Sequence, residues 1–244
     1  MILYQEKGIQ YICCKIKIKC KIVIVDFKIY HIKISEENIK FIKYGDLTME
    51  FIAHRINTVK ELKKLPKEYG VELDLRDDLN GRIYIQHNPF EPGEDFEEYL
   101  KNYHHGTMIL NVKSERIELK ILEMLPKYDV KSYFFLDSSF PMIWLLSNQG
   151  EKNIALRVSE VEGLDTPRNM TGKVEWIWVD CFSKIPIGKT EAEELKKLGY
   201  KLCLVSPELE GREEEIEKYK EQIKVLGIEF NAICTKWYNI SRWK

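Results

Sequence analysis

From Met49 to the C-terminus, short apolar runs alternate with charged stretches, and this alternation constrains the fold more than any other feature of the chain. Eight runs have the length and apolar content of buried strands. They cover residues 50–54, 71–75, 108–112, 132–136, 153–158, 174–179, 201–205 and 232–235. Strands that alternate with amphipathic helices are typical of repeated βα units and a parallel sheet.

Four segments between these runs have the apolar spacing of surface helices: 59–64, 115–125, 190–197 and 213–225. Thr190 and Glu193 have the spacing of a capping box at a helix start. Gly199 and Gly227 each follow a helix and precede a strand, where a helix C-terminus favours glycine.

These elements predict an α/β protein with a small (β/α)8 barrel, or TIM barrel, over residues 49–244. About 196 residues is short for this fold, so several connections are expected to be loops rather than full helices. An open doubly wound sheet is the structural alternative, but it gives no reason for polar residues to end so many strands.

Residues 1–48 differ in composition from the rest of the chain, with twelve Ile and nine Lys but no Ala, Arg, Pro or Trp. Within them, 15–24 alternates apolar residues with Lys, which is the pattern of a strand. Two interpretations stay open: a genuine strand-forming extension, such as an accessory hairpin, or an artefactual start translated from an AT-rich stretch upstream of Met49. We therefore predict two regions, an extension over 1–48 and a barrel over 49–244.

The composition gives weaker guidance on partners and location. With 38 basic and 39 acidic residues, the chain has no overall field that favours nucleic acid. Six scattered cysteines without a CxxC pair suit reduced thiols in a cytoplasm, and no apolar stretch reaches the length of a transmembrane helix. We expect a cytoplasmic protein; the oligomeric state is not specified by the sequence.

The second predicted strand, Val-Glu-Leu-Asp-Leu, carries Glu72 and Asp74 on one face, about 7 Å apart. Carboxylates that point into a barrel are costly unless they are paired or bound to metal. Hard oxygen ligands suit one divalent cation, Mg²⁺ or Ca²⁺. The alternative is a solvent-facing strand with ordinary surface acids.

Two histidines flank this strand: His54 ends the first predicted strand, and His87 follows the second. Imidazole titrates near neutral pH, so one histidine can accept a proton while the other donates one. His104 and His105 form a rival pair, which we interpret as surface residues because no Glu-x-Asp strand adjoins them.

The pattern His54-Arg55, Glu72-Leu73-Asp74 and His87 resembles the glycerophosphodiester phosphodiesterases. A third segment, Ile-Leu-Asn-Val-Lys over 109–113, resembles the Leu-Glu-x-Lys segment of that family. These motifs cover residues 49–113, and beyond them the similarity is architectural. Sphingomyelinase D-like phospholipases are related and share the two histidines and Glu-x-Asp.

This resemblance implies a metal-dependent phosphodiesterase. Glu72, Asp74 and Asn111 would ligate the cation, and His54 and His87 would be the catalytic pair. Arg55 and Lys113 would bind the substrate phosphate.

The chain departs from the family pattern at three points. Ile56 replaces a glycine, the first loop is shortened to Asn57-Thr58, and Asn111 stands where a third acidic ligand is common. An amide oxygen still coordinates a hard cation, but the site loses one charge and should bind metal more weakly. Asp137 and Asp180 are candidates to replace that charge.

The sequence therefore predicts hydrolysis of a small-molecule phosphodiester, or its conversion to a cyclic phosphate. The alternative is a barrel that has lost turnover and binds phosphorylated ligands. Arg157 is a candidate second phosphate contact, although an ion pair with Glu175 or Asp180 is an equal alternative. Trp237 is a candidate for stacking on substrate, whereas Trp176 and Trp178 are expected mainly to pack in the core.

Overall fold

A computed structural model describes residues 49–244 and, before them, the segments 2–6, 9–13, 20–25, 28–35 and 38–42. The chain divides into two compact units, Met1–Thr48 and Met49–Lys244. Five strands of the first unit pair in sequence order as an antiparallel sheet: β1 (Ile2–Glu6), β2 (Ile9–Cys13), β3 (Cys20–Val25), β4 (Lys28–Ser35) and β5 (Asn38–Ile42). The strand predicted over 15–24 lies outside the described residues up to position 19, and its remainder belongs to β3.

The second unit is a parallel barrel with an added hairpin. Its strands are β6 (Glu50–Ala53), β7 (Gly70–Asp77), β8 (Ile83–Ile85), β9 (Glu94–Asp95), β10 (Met108–Val112), β11 (Tyr133–Leu136), β12 (Ala155–Val158), β13 (Trp176–Val179), β14 (Lys201–Val205) and β15 (Ala232–Thr235). All except β8 and β9 pair in parallel, in the order β11-β10-β7-β6-β15-β14-β13-β12. A parallel bridge between Phe135 and Ile154 joins β11 to the segment before β12. The predicted TIM barrel is confirmed.

The described helices are short, as the length of the chain requires. They are α1 (Val59–Leu62), α2 (Phe96–Lys101), α3 (Glu118–Met124), α4 (Phe140–Asn148), α5 (Asp165–Asn169), α6 (Lys189–Lys197), α7 (Ile216–Leu226) and α8 (Ile240–Trp243), with 3₁₀ turns at Leu125–Tyr128, Pro207–Glu210, Glu213–Glu215 and Trp237–Asn239. Within the described part of the chain, no helix has the length and apolar character needed to cross a membrane.

One helix start differs from the prediction. The helix α6 begins at Lys189, and the Glu191 carboxylate accepts a hydrogen bond from the backbone N–H of Gly188 at 3.0 Å. The capping box predicted from Thr190 and Glu193 is therefore wrong. Gly199 and Gly227 do follow α6 and α7, with φ of 94° and 62°, so the predicted helix ends are confirmed.

The apolar side chains form two layers, one between the strands and the helices and one inside the barrel. Inside the barrel, the Phe134 and Trp176 rings stack with centroids 4.4 Å apart. Trp176 and Trp178 are both buried there, so they pack in the core as expected. Because this packing fills much of the interior, polar groups gather at the barrel end.

We predict that residues 49–244 fold without residues 1–48. The reason is that the strands and the apolar layers of the barrel unit are all supplied by residues after Met49. All five tryptophans lie within 49–244, so the two proteins, 1–244 and 49–244, should show the same tryptophan bands in near-UV circular dichroism, and 49–244 should unfold in a cooperative thermal transition. Loss of a cooperative transition in the shorter protein would show that the extension belongs to the barrel.

Candidate active site

The carboxyl ends of β10, β7, β6 and β15 are adjacent in the barrel, and polar side chains from all four meet there. In the register of β7 and β10, Glu72 lies beside Ile109 and Asp74 beside Asn111. Leu73 belongs to the layer between strands and helices, so the alternate residues of β7 face inward.

Glu72 and Asp74 are almost fully buried, with 1% and 0% of their surface exposed. Burial raises the pKa of both carboxyl groups, and the neighbouring Glu72 raises that of Asp74 further. Two such groups are stable only if hydrogen bonds or cations compensate their charge.

The loop after β6 provides part of this compensation. The backbone N–H of Arg55 donates to Glu72 Oε2 at 2.8 Å, from a residue with φ of 54°. Asn57 pairs with Asp74 twice: its Nδ2 donates to Asp74 Oδ2 at 2.9 Å, and its Oδ1 accepts from the Asp74 backbone N–H at 3.1 Å. The Arg55 Nε lies 3.7 Å from Asp74 Oδ2. The shortened first loop thus serves to hold the acidic pair.

His54 lies between β15 and the acidic pair. Its Nδ1 is 2.9 Å from Lys236 Nζ, and its Nε2 is 3.6 Å from Glu72 Oε2. Burial, with the charges of Lys236 and Arg55, lowers the pKa of His54 to about 3. His54 thus links the last barrel strand to the acidic pair.

His87 reaches the same end of the barrel through the β7–β8 hairpin. Gln86 N–H donates to the Asp74 carbonyl at 2.9 Å, and Arg76 Nη2 donates to the His87 carbonyl at 2.7 Å. The His87 ring is half-exposed, with Nδ1 3.0 Å from Asn88 Oδ1. Arg76 also donates to the Lys113 carbonyl at 3.1 Å, so it ties the His87 loop to β10.

Asn111 and Lys113 face the acidic pair from β10. Asn111 Nδ2 donates to Glu72 Oε1 at 2.8 Å. The Lys113 Nζ lies 3.8 Å from Asp74 Oδ1 and 3.2 Å from Asp137 Oδ2. The cation of Lys113 is thus shared between two carboxylates.

A divalent cation fits the donor set in this region. Asp74 Oδ1 and Asn111 Oδ1 are buried and accept no hydrogen bond. Buried oxygens of this kind need a partner, and a hard cation is one that carboxylate and amide oxygens bind together. Residues 49–244, whose side chains are described, contain no group of three or more His, Cys, Asp or Glu arranged around a metal position. The site therefore offers two carboxylates and one amide.

The guanidinium of Arg157 binds two carboxylates, and these contacts show which of the two predicted ion pairs forms. Its guanidinium pairs with Asp137 and Asp180, while Glu175 pairs instead with Lys201 at 3.1 Å. Of the two predicted ion pairs, the one with Asp180 is present and the one with Glu175 is not. Asp137 and Asp180, the candidates for a replacement acidic ligand, both bind Arg157, and Asp137 also lies 3.2 Å from Lys113 Nζ.

Two predicted surface features lie at different ends of the barrel. Trp237 lies two residues after β15 and is 56% exposed, and its ring meets that of Tyr238 edge-to-face with centroids 6.2 Å apart. His104 and His105 precede β10 and so lie at the opposite end from the acidic pair, with His104 exposed. The rival histidine pair is separate from the candidate site.

Sequence analysis gave no role to four residues that contact this site: Asn57, Arg76, Glu208 and Lys236. Three of them, Arg76, Glu208 and Lys236, are polar residues at or just beyond the ends of predicted strands, and this position is the sequence signal that indicates them. The pairing of Asn57 with Asp74 has no signal in the sequence, because the two residues meet only through the barrel.

Comparison with known proteins supports the fold. No protein-family model and no curated protein sequence matches the chain. Among solved structures, it resembles glycerophosphodiester phosphodiesterase from Agrobacterium tumefaciens str. C58, with a TM-score of 0.54 and 14% identity over 77% of this chain and 96% of that one. It also resembles a glycerophosphoryl diester phosphodiesterase from Parabacteroides distasonis, with a TM-score of 0.57 and 10% identity over 82% and 87%. The expected structural resemblance is confirmed at the level of the fold.

We predict that Asp74→Asn stabilises the metal-free protein at neutral pH relative to the parent. The pKa of Asp74 is raised on folding, so its contribution to stability is present at low pH and lost as pH rises through the folded pKa. The difference in free energy of unfolding should grow from about pH 4 upward and then level off. Urea titrations in EDTA across this range would measure it; a difference independent of pH contradicts the prediction.

Asn111→Asp should make stability depend on metal. Without a cation, the change removes the donor to Glu72 and adds a third buried carboxylate, which we expect to cost about 1–3 kcal/mol. With Mg²⁺ or Ca²⁺, the added charge should strengthen binding. Melting temperatures in EDTA and in each metal test this, with Asn148→Asp as the control on an exposed helix end. Equal metal responses in both variants would exclude Asn111 as a ligand position.

Proposed function

We propose that the barrel is a metal-dependent phosphodiesterase of the glycerophosphodiester phosphodiesterase type. The observation that carries this proposal is the buried pair Glu72 and Asp74, with unpartnered oxygens on Asp74 and Asn111, at the carboxyl end of a barrel. In barrels of this class, reactive groups gather at that end. The proposed substrate is a small-molecule phosphodiester with a hydroxyl-bearing alcohol.

Arg55 and Lys113 would bind the non-bridging phosphate oxygens. The Arg55 side chain is 42% exposed, and its nearest carboxylate is 3.7 Å away, so its donors are available to an anion. The Lys113 ammonium lies between Asp74 and Asp137 and can contact a phosphate held beside them. Fixed positive groups of this kind stabilise charge that develops on phosphate oxygens. A cation held by Glu72, Asp74 and Asn111 would polarise the phosphoryl group when bound.

The two histidines would transfer the protons. One of them accepts the proton of the attacking hydroxyl as the new P–O bond forms, and the other protonates the leaving oxygen as the old bond breaks. Attack by water gives a monoester and an alcohol. Attack by a neighbouring hydroxyl of the substrate gives a cyclic phosphate and the same alcohol. Both outcomes use the same residues.

Arg157 and Trp237 would act on parts of the substrate further from the reacting phosphorus. Trp237 presents an exposed indole next to β15, which suits stacking on a sugar or an apolar group. Arg157 would contact a phosphate only if that phosphate displaced Asp137 or Asp180 from the guanidinium. Its proposed role is therefore secondary to those of Arg55 and Lys113.

A second candidate is a ligand-binding barrel without turnover. The observation that favours it is the amide at Asn111, which leaves the described site with two carboxylates. A weaker cation site would preserve phosphate binding through Arg55 and Lys113 while slowing the reaction. Direct assay separates this candidate from the enzyme.

The proposed activity predicts metal-dependent turnover that requires both histidines. A panel of glycerophosphodiesters would be followed by phosphorus NMR with Mg²⁺, with Ca²⁺ and with EDTA. His54→Ala and His87→Ala should each lower kcat by about 10²- to 10⁴-fold, the usual contribution of a general acid or base. The chemical shift of the product distinguishes a monoester from a cyclic phosphate.

His104→Ala is the matched control, because His104 is exposed at the other end of the barrel. It should retain the activity of the parent. Equal losses in all three variants would reflect damage to the fold rather than a role in proton transfer. Binding of phosphodiesters without turnover in any metal would favour the ligand-binding candidate.

A further inference from the structure

Lys236 follows β15 and is held there by a buried network. Its backbone N–H donates to Glu208 Oε1 at 3.0 Å, and the same carboxylate accepts from the hydroxyls of Thr235 and Ser206. The indole N–H of Trp243 donates to Ser206 Oγ at 2.9 Å. Since Ser206 and Thr235 are fully buried, this network fixes the backbone from which the Lys236 side chain extends.

The Lys236 ammonium is directed to His54 rather than to a carboxylate. Its Nζ lies 2.9 Å from His54 Nδ1. Lys113 and Arg157, by contrast, each pair with carboxylates. Among the ion pairs of residues 49–244, none joins Lys236 Nζ to a carboxylate oxygen within 4.0 Å.

An ammonium group has three donors and no acceptor. In the contact with Lys236, His54 Nδ1 must therefore be the acceptor and carry no proton. The single proton of a neutral imidazole is then on Nε2. This nitrogen is 3.6 Å from Glu72 Oε2, beyond hydrogen-bond distance, so its N–H is available to another acceptor.

We propose that Lys236 is a positioning residue that fixes His54 in the Nε2-protonated tautomer and thereby presents an N–H donor to an oxygen of the bound phosphodiester. The assignment of the tautomer follows from the contact itself, and its catalytic meaning rests on the proposed function.

The orientation of a reactive histidine is commonly set by the group that contacts its other ring nitrogen. Here that group comes from the last barrel strand, and the histidine comes from the first. Removal of the ammonium would leave Nδ1 without a donor and allow both neutral tautomers. A guanidinium at the same position would still donate to Nδ1.

The test uses the full chain, with ¹⁵N in the histidine rings, and long-range proton–nitrogen correlation spectra at neutral pH. The chain has five histidines, and the His54 signals are identified by their absence from His54→Gln. The parent should show His54 with a protonated Nε2 and an unprotonated Nδ1. In Lys236→Met, the two nitrogens should shift toward the averaged values of mixed tautomers, whereas Lys236→Arg should retain the parent pattern.

Lys184→Met is the matched control, since Lys184 is exposed on the loop after β13 and its side chain makes no described ion pair. A parent spectrum with Nδ1 protonated, or with mixed tautomers, overturns the proposal even if Lys236→Met does not fold. A Lys236→Met spectrum identical to that of the parent also overturns it.

Turnover supplies a second readout. If the parent is an active phosphodiesterase, Lys236→Met should lower kcat by about 10- to 100-fold with a smaller change in KM, and Lys236→Arg should recover most of it. An inactive parent with the expected tautomer would contradict the proposed function and leave the role of Lys236 in holding His54 intact. Full activity in Lys236→Met, with mixed tautomers, would show that the tautomer does not matter for catalysis and would overturn the catalytic part of the proposal.

Discussion

The burial of two carboxylates on one strand is the constraint on which the carboxyl end of this barrel depends. Removing Glu72 and Asp74 from water would be costly without partners, and the surrounding residues supply them. Asn57 pairs with Asp74, Asn111 donates to Glu72, and Lys113 brings positive charge within 3.8 Å of Asp74. Asp74 Oδ1 and Asn111 Oδ1 remain without hydrogen-bond partners, and oxygens of this kind are ligands that a hard cation binds. The short loop after β6 meets part of this requirement, because its Arg55 backbone and Asn57 side chain hydrogen-bond to the two carboxylates.

Beyond this pair, charges alternate around the barrel end and decide which cations are available. Lys113 is shared between Asp74 and Asp137, and Arg157 is shared between Asp137 and Asp180. A cation between two carboxylates attracts an added anion less strongly than one without such neighbours, because its charge is already compensated. Arg55, which lies 3.7 Å from a single carboxylate, is less compensated than either Lys113 or Arg157.

The strands were predictable because barrel strands are buried on both sides and therefore appear as short apolar runs. The helices were less predictable from the sequence. The segment of α4, Phe140–Asn148, contains no charged residue, so it lacks the polar face that marks an amphipathic helix. The β8–β9 pair is too short to give a periodic signal. The start of α6 was misplaced because Thr190 and Glu193 fit a local rule that Gly188 and Glu191 satisfy in the folded chain.

The sequence by itself determined the class of fold, the inward direction of Glu72 and Asp74, and the concentration of polar groups at strand ends, because each of these depends on spacing along one strand. Tertiary structure alone decided the partners. Asn57 reaches Asp74, Arg157 is bound by acids from two other strands, and Lys236 contacts His54 across 182 positions of sequence. Such contacts arise between neighbouring strands of the closed sheet, including the pair formed by β6 and β15, and no local pattern encodes them.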